Sequence, residues 1–114
     1  MNEKRTFRDY KPEARSLIKR LQDLGFTIRS GSNGEERCKF DGNLEGFLRN
    51  LLACDEAHLY VSNRAGRKLT LFFVLGNSPG ELVADCTSDA ELDYALEAHA
   101  NEWEGRPQPT TEAP

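Results

Sequence analysis

A chain of 114 residues with 38% apolar content and ten aromatic side chains (six Phe, three Tyr, one Trp) is sized for one domain. It can bury about two thirds of its unfolded surface without cross-links or metal. This composition excludes an intrinsically disordered chain, and the longest apolar run, residues 71–75, falls far short of the roughly 18 residues of a membrane span. The net charge of −4 hides a gradient: residues 1–40 hold ten Lys and Arg against six Asp and Glu, residues 41–79 hold four of each, and residues 80–114 hold one against nine.

The first nine residues are charged and begin without an apolar signal core, and residues 1–10 read as a flexible segment. A helix is predicted from about Pro12, a residue that suits a first turn whose N–H groups lack partners anyway. Ala14, Leu17, Ile18, Leu21 and Leu24 recur at the helical period and form its apolar stripe. Lys11, Arg15 and Lys19 occupy the solvent side. Gly25 ends the helix, with Phe26 folding back on Leu21 in a Schellman-type contact.

Residues 26–30 and 37–41 alternate apolar and polar as half-buried strands do. Gly31, Ser32, Asn33 and Gly34 between them supply a hairpin turn. Phe26, Ile28, Cys38 and Phe40 are expected inward, and Arg29, Arg37 and Lys39 outward. Asn43 caps a second helix carrying Leu44, Phe47, Leu48, Leu51 and Leu52, ending near Cys54.

Three strands follow, at residues 58–62, 69–75 and 81–86, joined by short turns at 63–67 and 76–80. Such short links join antiparallel neighbours, because a parallel crossover needs about a dozen residues or more. Ser88 and Glu91 read as the capping box of a last helix, with Leu92, Ala95, Leu96, His99 and Trp103 inward and Gly105 as its end. Residues 105–114, with three prolines, read as a flexible tail. The expected fold is α+β: one domain over residues 11–104, in the order α-β-β-α-β-β-β-α. Its sheet has about five strands, mostly antiparallel, with three helices packed on it.

The sequence carries few signs of catalytic chemistry. Cys38, Cys54 and Cys86 are odd in number and lack CxxC spacing, which argues against a disulfide framework and places the chain in the cytoplasm. They read as small buried hydrophobes. His99 reads as a structural histidine and His58 as a surface one. No elbow presenting a nucleophile, no Gly-rich phosphate cradle and no pair of tightly spaced metal ligands is present. No catalytic residue, cofactor or metal site is therefore assigned. Pairing of Cys86 with His99 or Cys54 with His58 remains the enzymatic alternative.

Two features point to partners. The strand at residues 69–75 is apolar on both alternating sets, Leu69, Leu71, Phe73 and Leu75 on one and Phe72 and Val74 on the other. A sheet with one wet face shows polar residues there, so either helices cover both faces or the second face docks on another chain. Tyr60, Phe72 and Val74 are the predicted protein-binding residues, and a non-enzymatic inhibitor or adaptor binding a larger protein is the leading expectation. A homodimer is compatible with it. The alternative is nucleic-acid binding through Arg29, Arg37, Lys39, Arg64, Arg67 and Lys68, provided these basic clusters share one side with the first helix.

Overall fold

The structure is a computed structural model that describes residues 5–8, 10–75, 80–104 and 110–113, the first and last of these as backbone only. Its elements are β1 (Arg5–Arg8), α1 (Lys11–Asp23), β2 (Thr27–Ser32), β3 (Arg37–Lys39), α2 (Leu44–Leu51), β4 (Glu56–Ser62), β5 (Lys68–Val74), β6 (Val83–Cys86), α3 (Ala90–Trp103) and β7 (Thr110–Ala113). The main sheet has five antiparallel strands in the order β3-β2-β4-β5-β6. The α+β class, the three helices and the order α-β-β-α-β-β-β-α are those expected from the sequence. The segments read as flexible tails contain β1 and β7, which pair with each other antiparallel from Arg5↔Ala113 to Arg8↔Thr110. Residues 76–79 of one predicted turn and 105–109 of the tail lie outside the described residues.

One apolar cluster joins all three helices to one face of the sheet. It contains Ala14, Leu17, Ile18 and Leu21 of α1, Phe47, Leu48 and Leu51 of α2, and Leu92 and Ala95 of α3. From the strands come Ile28, Cys38, Ala57, Leu59, Val61, Leu69, Leu71 and Phe73. Burial along β4 and β5 alternates strictly, as a sheet covered on one side requires. Burying a side chain such as the fully enclosed Phe73 contributes about 1.5–3 kcal/mol.

Local chemistry sets the ends of the helices. At the end of α1, Phe26 N–H donates to Leu21 C=O (2.9 Å) and Gly25 N–H to Gln22 C=O (3.0 Å), the paired bonds of a Schellman motif, with Gly25 at φ +97°. Asn43 caps α2 by accepting from Gly46 N–H at 3.1 Å. The last helix starts one residue later than the capping box suggests, because Asp89 is the cap. Its carboxylate accepts from Leu92 N–H (2.9 Å), and Asn63 Nδ2 (3.3 Å) and Arg67 Nη1 (3.4 Å) reach its other oxygen. Asp caps as well as Ser does, and these two tertiary partners favour it here.

The turn expected at residues 31–34 also moves. Gly31 and Ser32 belong to β2, and the turn begins at Asn33, whose side chain accepts from Glu35 N–H and Glu36 N–H (both 2.9 Å). Gly31 faces the core opposite Cys38 and Leu59. A Cβ there would lie 2.5 Å from Leu51 Cδ1, 3.0 Å from His58 O and 3.2 Å from Phe47 Cζ. Glycine thus lets α2 sit directly on β2.

Between α1 and α3, Glu13 Oε2 lies 3.1 Å from His99 Nε2 and accepts from Gly80 N–H at 3.2 Å. Glu13 is fully buried and His99 nearly so. Ser16 Oγ accepts from Trp103 Nε1 at 3.3 Å, and Arg20 pairs with Glu102. On the other flank Arg15 grips Glu45 of α2 with two bonds, 2.7 and 2.9 Å. The predicted structural role of His99 has a physical basis here: a buried polar ring needs a partner.

Two substitutions check these points. Gly31→Ala is expected to destabilise by about 1–3 kcal/mol in urea denaturation, as overpacking does; an unchanged midpoint would mean that α2 moves aside freely. Asp89 has its carboxyl held below the ordinary range, first by the Leu92 N–H bond and then by the Asn63 bond and the Arg67 charge. A lowered folded-state value gives stability that is present above the ordinary carboxylate range and lost as pH falls through the lowered value. Asp89→Ala should therefore lower the melting temperature at neutral pH and flatten its acid-side decline, read by melts from neutral down to about pH 2.

Candidate functional site

The alternation that buries Ala57, Leu59 and Val61 turns His58, Tyr60 and Ser62 to the other face of β4. The same holds on β5, where Thr70, Phe72 and Val74 face away from the helices. Register extends this outer face into cross-strand rows. One runs Arg37, Ser32, His58, Phe72, Asp85 from β3 to β6, and the next runs Lys39, Ser30, Tyr60, Thr70.

The centre of the face is aromatic. His58 and Phe72 have centroids 5.0 Å apart, and His58 stacks parallel to Tyr60 at 6.3 Å. These rings and Val74 are half-buried by their neighbours, and none belongs to the cluster beneath the helices. Among the described residues, no helix covers them. A shallow depression of about 550 Å³ lies over His58, Phe72, Thr70 and Asp85, with Glu56, Cys86 and Thr87 at its margin. The predicted protein-binding residues Tyr60, Phe72 and Val74 are thus brought together on one uncovered surface. The sequence reading missed the outward Asp85. Of the apolar residues near it, Leu82 is fully buried and Val83 packs on the core. The irregularity between the Phe72 and Phe73 pairings of β6 falls at this point.

The basic residues do not all converge. Arg37 lies across the outer face, where Nη2 donates to Ser30 Oγ at 3.2 Å. Lys39 shares its face. Arg29 is the extra residue of a bulge, since Ile28 pairs with Val61 and Ser30 with Tyr60, and it is exposed. Lys68 stands at the end of the same face beside Ser62 and Thr27.

Arg64 and Arg67 turn toward the helices instead. Arg64 Nε donates to Leu24 C=O at 3.2 Å, and Arg67 Nη1 donates to Ser88 C=O at 2.9 Å and approaches Asp89. Lys11, Arg15 and Lys19 lie on α1, in the helical layer on the opposite side of the sheet. A single groove combining all three basic clusters does not form.

Cys86 and His58 both border the depression, but Cys86 pairs in register with the inward Leu71 and its Sγ sits 4.0 Å from Asp93 Oδ1, whereas His58 points outward. Burial pushes the Cys86 thiol above its ordinary range, helped by the carboxylates of Asp93, Asp85 and Asp89. Burial first, then Glu36, does the same for Cys38, and burial followed by Glu35 and Asp55 for Cys54. Thiols so placed remain protonated and poorly nucleophilic at neutral pH. Among the described residues, no three His, Cys, Asp or Glu side chains gather in a metal-binding group, and no helix is long and apolar enough to cross a membrane.

What distinguishes the face is its charge layout. Arg37 and Lys39 on β3 are four strands from Asp85 on β6, about 19 Å at the usual strand spacing. That exceeds the Debye length of about 8–10 Å in ordinary salt, so the edges do not neutralise one another. The surface carries Arg37 and Lys39 at one edge, aromatic rings at its centre and Asp85 at the other edge, with Glu56 of β4 and Lys68 of β5 at its two ends. No protein-family model, curated protein or solved structure matches the chain.

Proposed function

We propose that this chain is a non-enzymatic protein-binding domain of the inhibitor or adaptor kind, and that the outer face of its sheet is the docking surface. The observation that carries the reading is the contiguous half-buried patch of His58, Tyr60, Phe72 and Val74, which the helices leave uncovered. Aromatic side chains at the centre with a charged rim is the usual anatomy of an interface. Such anchors carry most of the binding energy when water is excluded around them.

A photoreactive phenylalanine analogue replacing Phe72 should give covalent protein adducts in cells, while the same group at the exposed Glu97 of α3 should not. Equal labelling at both positions, or none at position 72, would remove the docking reading.

A second reading has its own support. Arg29, Arg37, Lys39 and Lys68 border three aromatic rings, and rings beside cations form a stacking platform for single-stranded nucleic acid. With four phosphates neutralised, affinity for a labelled single strand should fall about fifty-fold between roughly 50 and 200 mM salt. Fluorescence anisotropy checks this, and no binding at the lower salt would dismiss it.

A further inference from the structure

We propose that the depression over His58 and Phe72 is the seat of an arginine side chain presented by the protein that docks on the outer face. This rests on the reading of that face as a docking surface and names the chemistry the partner brings.

The first argument is composition. The depression of about 550 Å³ is lined by the His58 and Phe72 rings, whose centroids lie 5.0 Å apart, and by the exposed acids Glu56 and Asp85. Register fixes their layout. Phe72 pairs with His58 on one side and with Asp85 on the other, and Glu56 stands two residues before His58 on the same face. Two strand spacings and two residues of rise set the Glu56 and Asp85 backbones about 12 Å apart, with Phe72 between them. A cation over an aromatic ring is attracted by its negative face, and here an acid stands on each side of that ring.

The second argument is charge that the face itself leaves open. Among the described residues neither Glu56 nor Asp85 joins an ion pair, and Asp85 Oδ1 accepts from the adjacent Cys86 N–H at 2.9 Å. The cations of the face stand apart. Lys68 is four residues from Phe72 along β5, a backbone distance of about 13 Å. Arg37 Nη2 rests on Ser30 of β2, about 12 Å from Phe72 by strand spacing and rise. Both exceed the Debye length of about 8–10 Å. The carboxylates that help burial raise the Cys86 thiol, those of Asp93, Asp85 and Asp89, show the same negative field at the margin.

The third argument is the kind of cation. Among the described residues no three His, Cys, Asp or Glu side chains converge, so the donor set does not suit a metal ion. Two acids set wide apart around a ring suit a flat, delocalised cation. Guanidinium is planar and weakly hydrated, stacks on rings and forks onto carboxylates, whereas an ammonium is a compact, strongly hydrated point charge. Arginine is also enriched at interfaces and among their strongest anchors.

Titration of the isotope-labelled chain with N-acetyl-arginine methylamide, followed by NMR, tests the seat directly. The amide signals of His58, Phe72 and Asp85 should move and saturate at millimolar probe. N-acetyl-citrulline methylamide, similar in shape but uncharged, should leave them in place. Asp85→Asn and Phe72→Leu should each weaken binding about two- to fivefold, and Glu97→Gln on α3 should not change it. No saturable movement, an equal response to citrulline, no loss in Asp85→Asn and Phe72→Leu, or an equal loss in all three variants overturns the proposal. The photoreactive group at position 72 separates this proposal from the docking reading. Protein adducts there without arginine binding would leave docking standing and this proposal overturned. Arginine binding without adducts would make a free cation the occupant and overturn both, and neither result would remove both.

Discussion

Seven consecutive cross-strand pairs, from Glu56↔Val74 to Ser62↔Lys68, hold β4 against β5, and the rest of the molecule takes its sides from them. A strand has a side-chain period of two, so a slip of one residue would send Leu69, Leu71 and Phe73 to the outer face and Thr70, Phe72 and Val74 under the helices. The burial difference between the two sets opposes the slip. Leu71 and Phe73 have no exposed surface at all, whereas the outward set includes a threonine and is only half-buried. β5 therefore needs apolar residues on one side to hold the helices, and the register leaves Phe72 and Val74 on the other side, outside that core.

Strand order converts a gradient along the chain into a gradient across a surface. The basic first third of the sequence supplies β2 and β3, and the acidic last third supplies β6 and α3. Because the sheet runs β3-β2-β4-β5-β6, these thirds end at opposite edges with the aromatic rings between them. Had β6 paired beside β3, Arg37 and Asp85 would stand about 5 Å apart and neutralise each other locally. At four strand spacings they cannot. The charge remains available to a neighbour, where it governs orientation and encounter more than raw affinity.

Features governed by neighbouring residues were legible in the sequence. The apolar stripes of α1 and α2, the Asn43 cap and the closure of Phe26 on Leu21 all follow from residues within one or two turns. The grouping of Tyr60, Phe72 and Val74 was legible too, because alternation alone places them on one face once their strands pair. Contacts from far along the chain were not. Asp89 displaces Ser88 as the cap partly because Asn63 and Arg67, more than twenty residues earlier, reach it. Gly31 looks like a turn residue until α2 presses on it, and Glu13 looks like a first-turn surface acid until His99 arrives from 86 residues away. The bulge that exposes Arg29 and turns Ser30 outward is likewise a property of the β2–β4 ladder and has no mark in β2 itself. The basic clusters show the same limit, since Arg64 and Arg67 are spent on a carbonyl and a helix cap.

The two sides of the sheet differ in how much polar chemistry is already committed. On the helical side, Glu13, Ser16, Arg15 and Arg20 each bridge α1 to another element, and the thiol of Cys86 lies against Asp93 of α3. These contacts brace the helical layer and place its titratable groups in structural roles. The outer side is arranged to stay open. Its patch is narrow, bordered by Ser30, Ser32 and Thr70, and the edge strand β3 is only three residues long with Arg37 and Lys39 at its ends. Short, charged edges discourage indiscriminate strand addition, and a limited apolar area discourages aggregation. A surface kept soluble at its borders and apolar at its centre tolerates water, yet it gains when a matching surface removes that water. On the proposed docking reading, a partner supplies complementary charge at the edges to reach the rings between them.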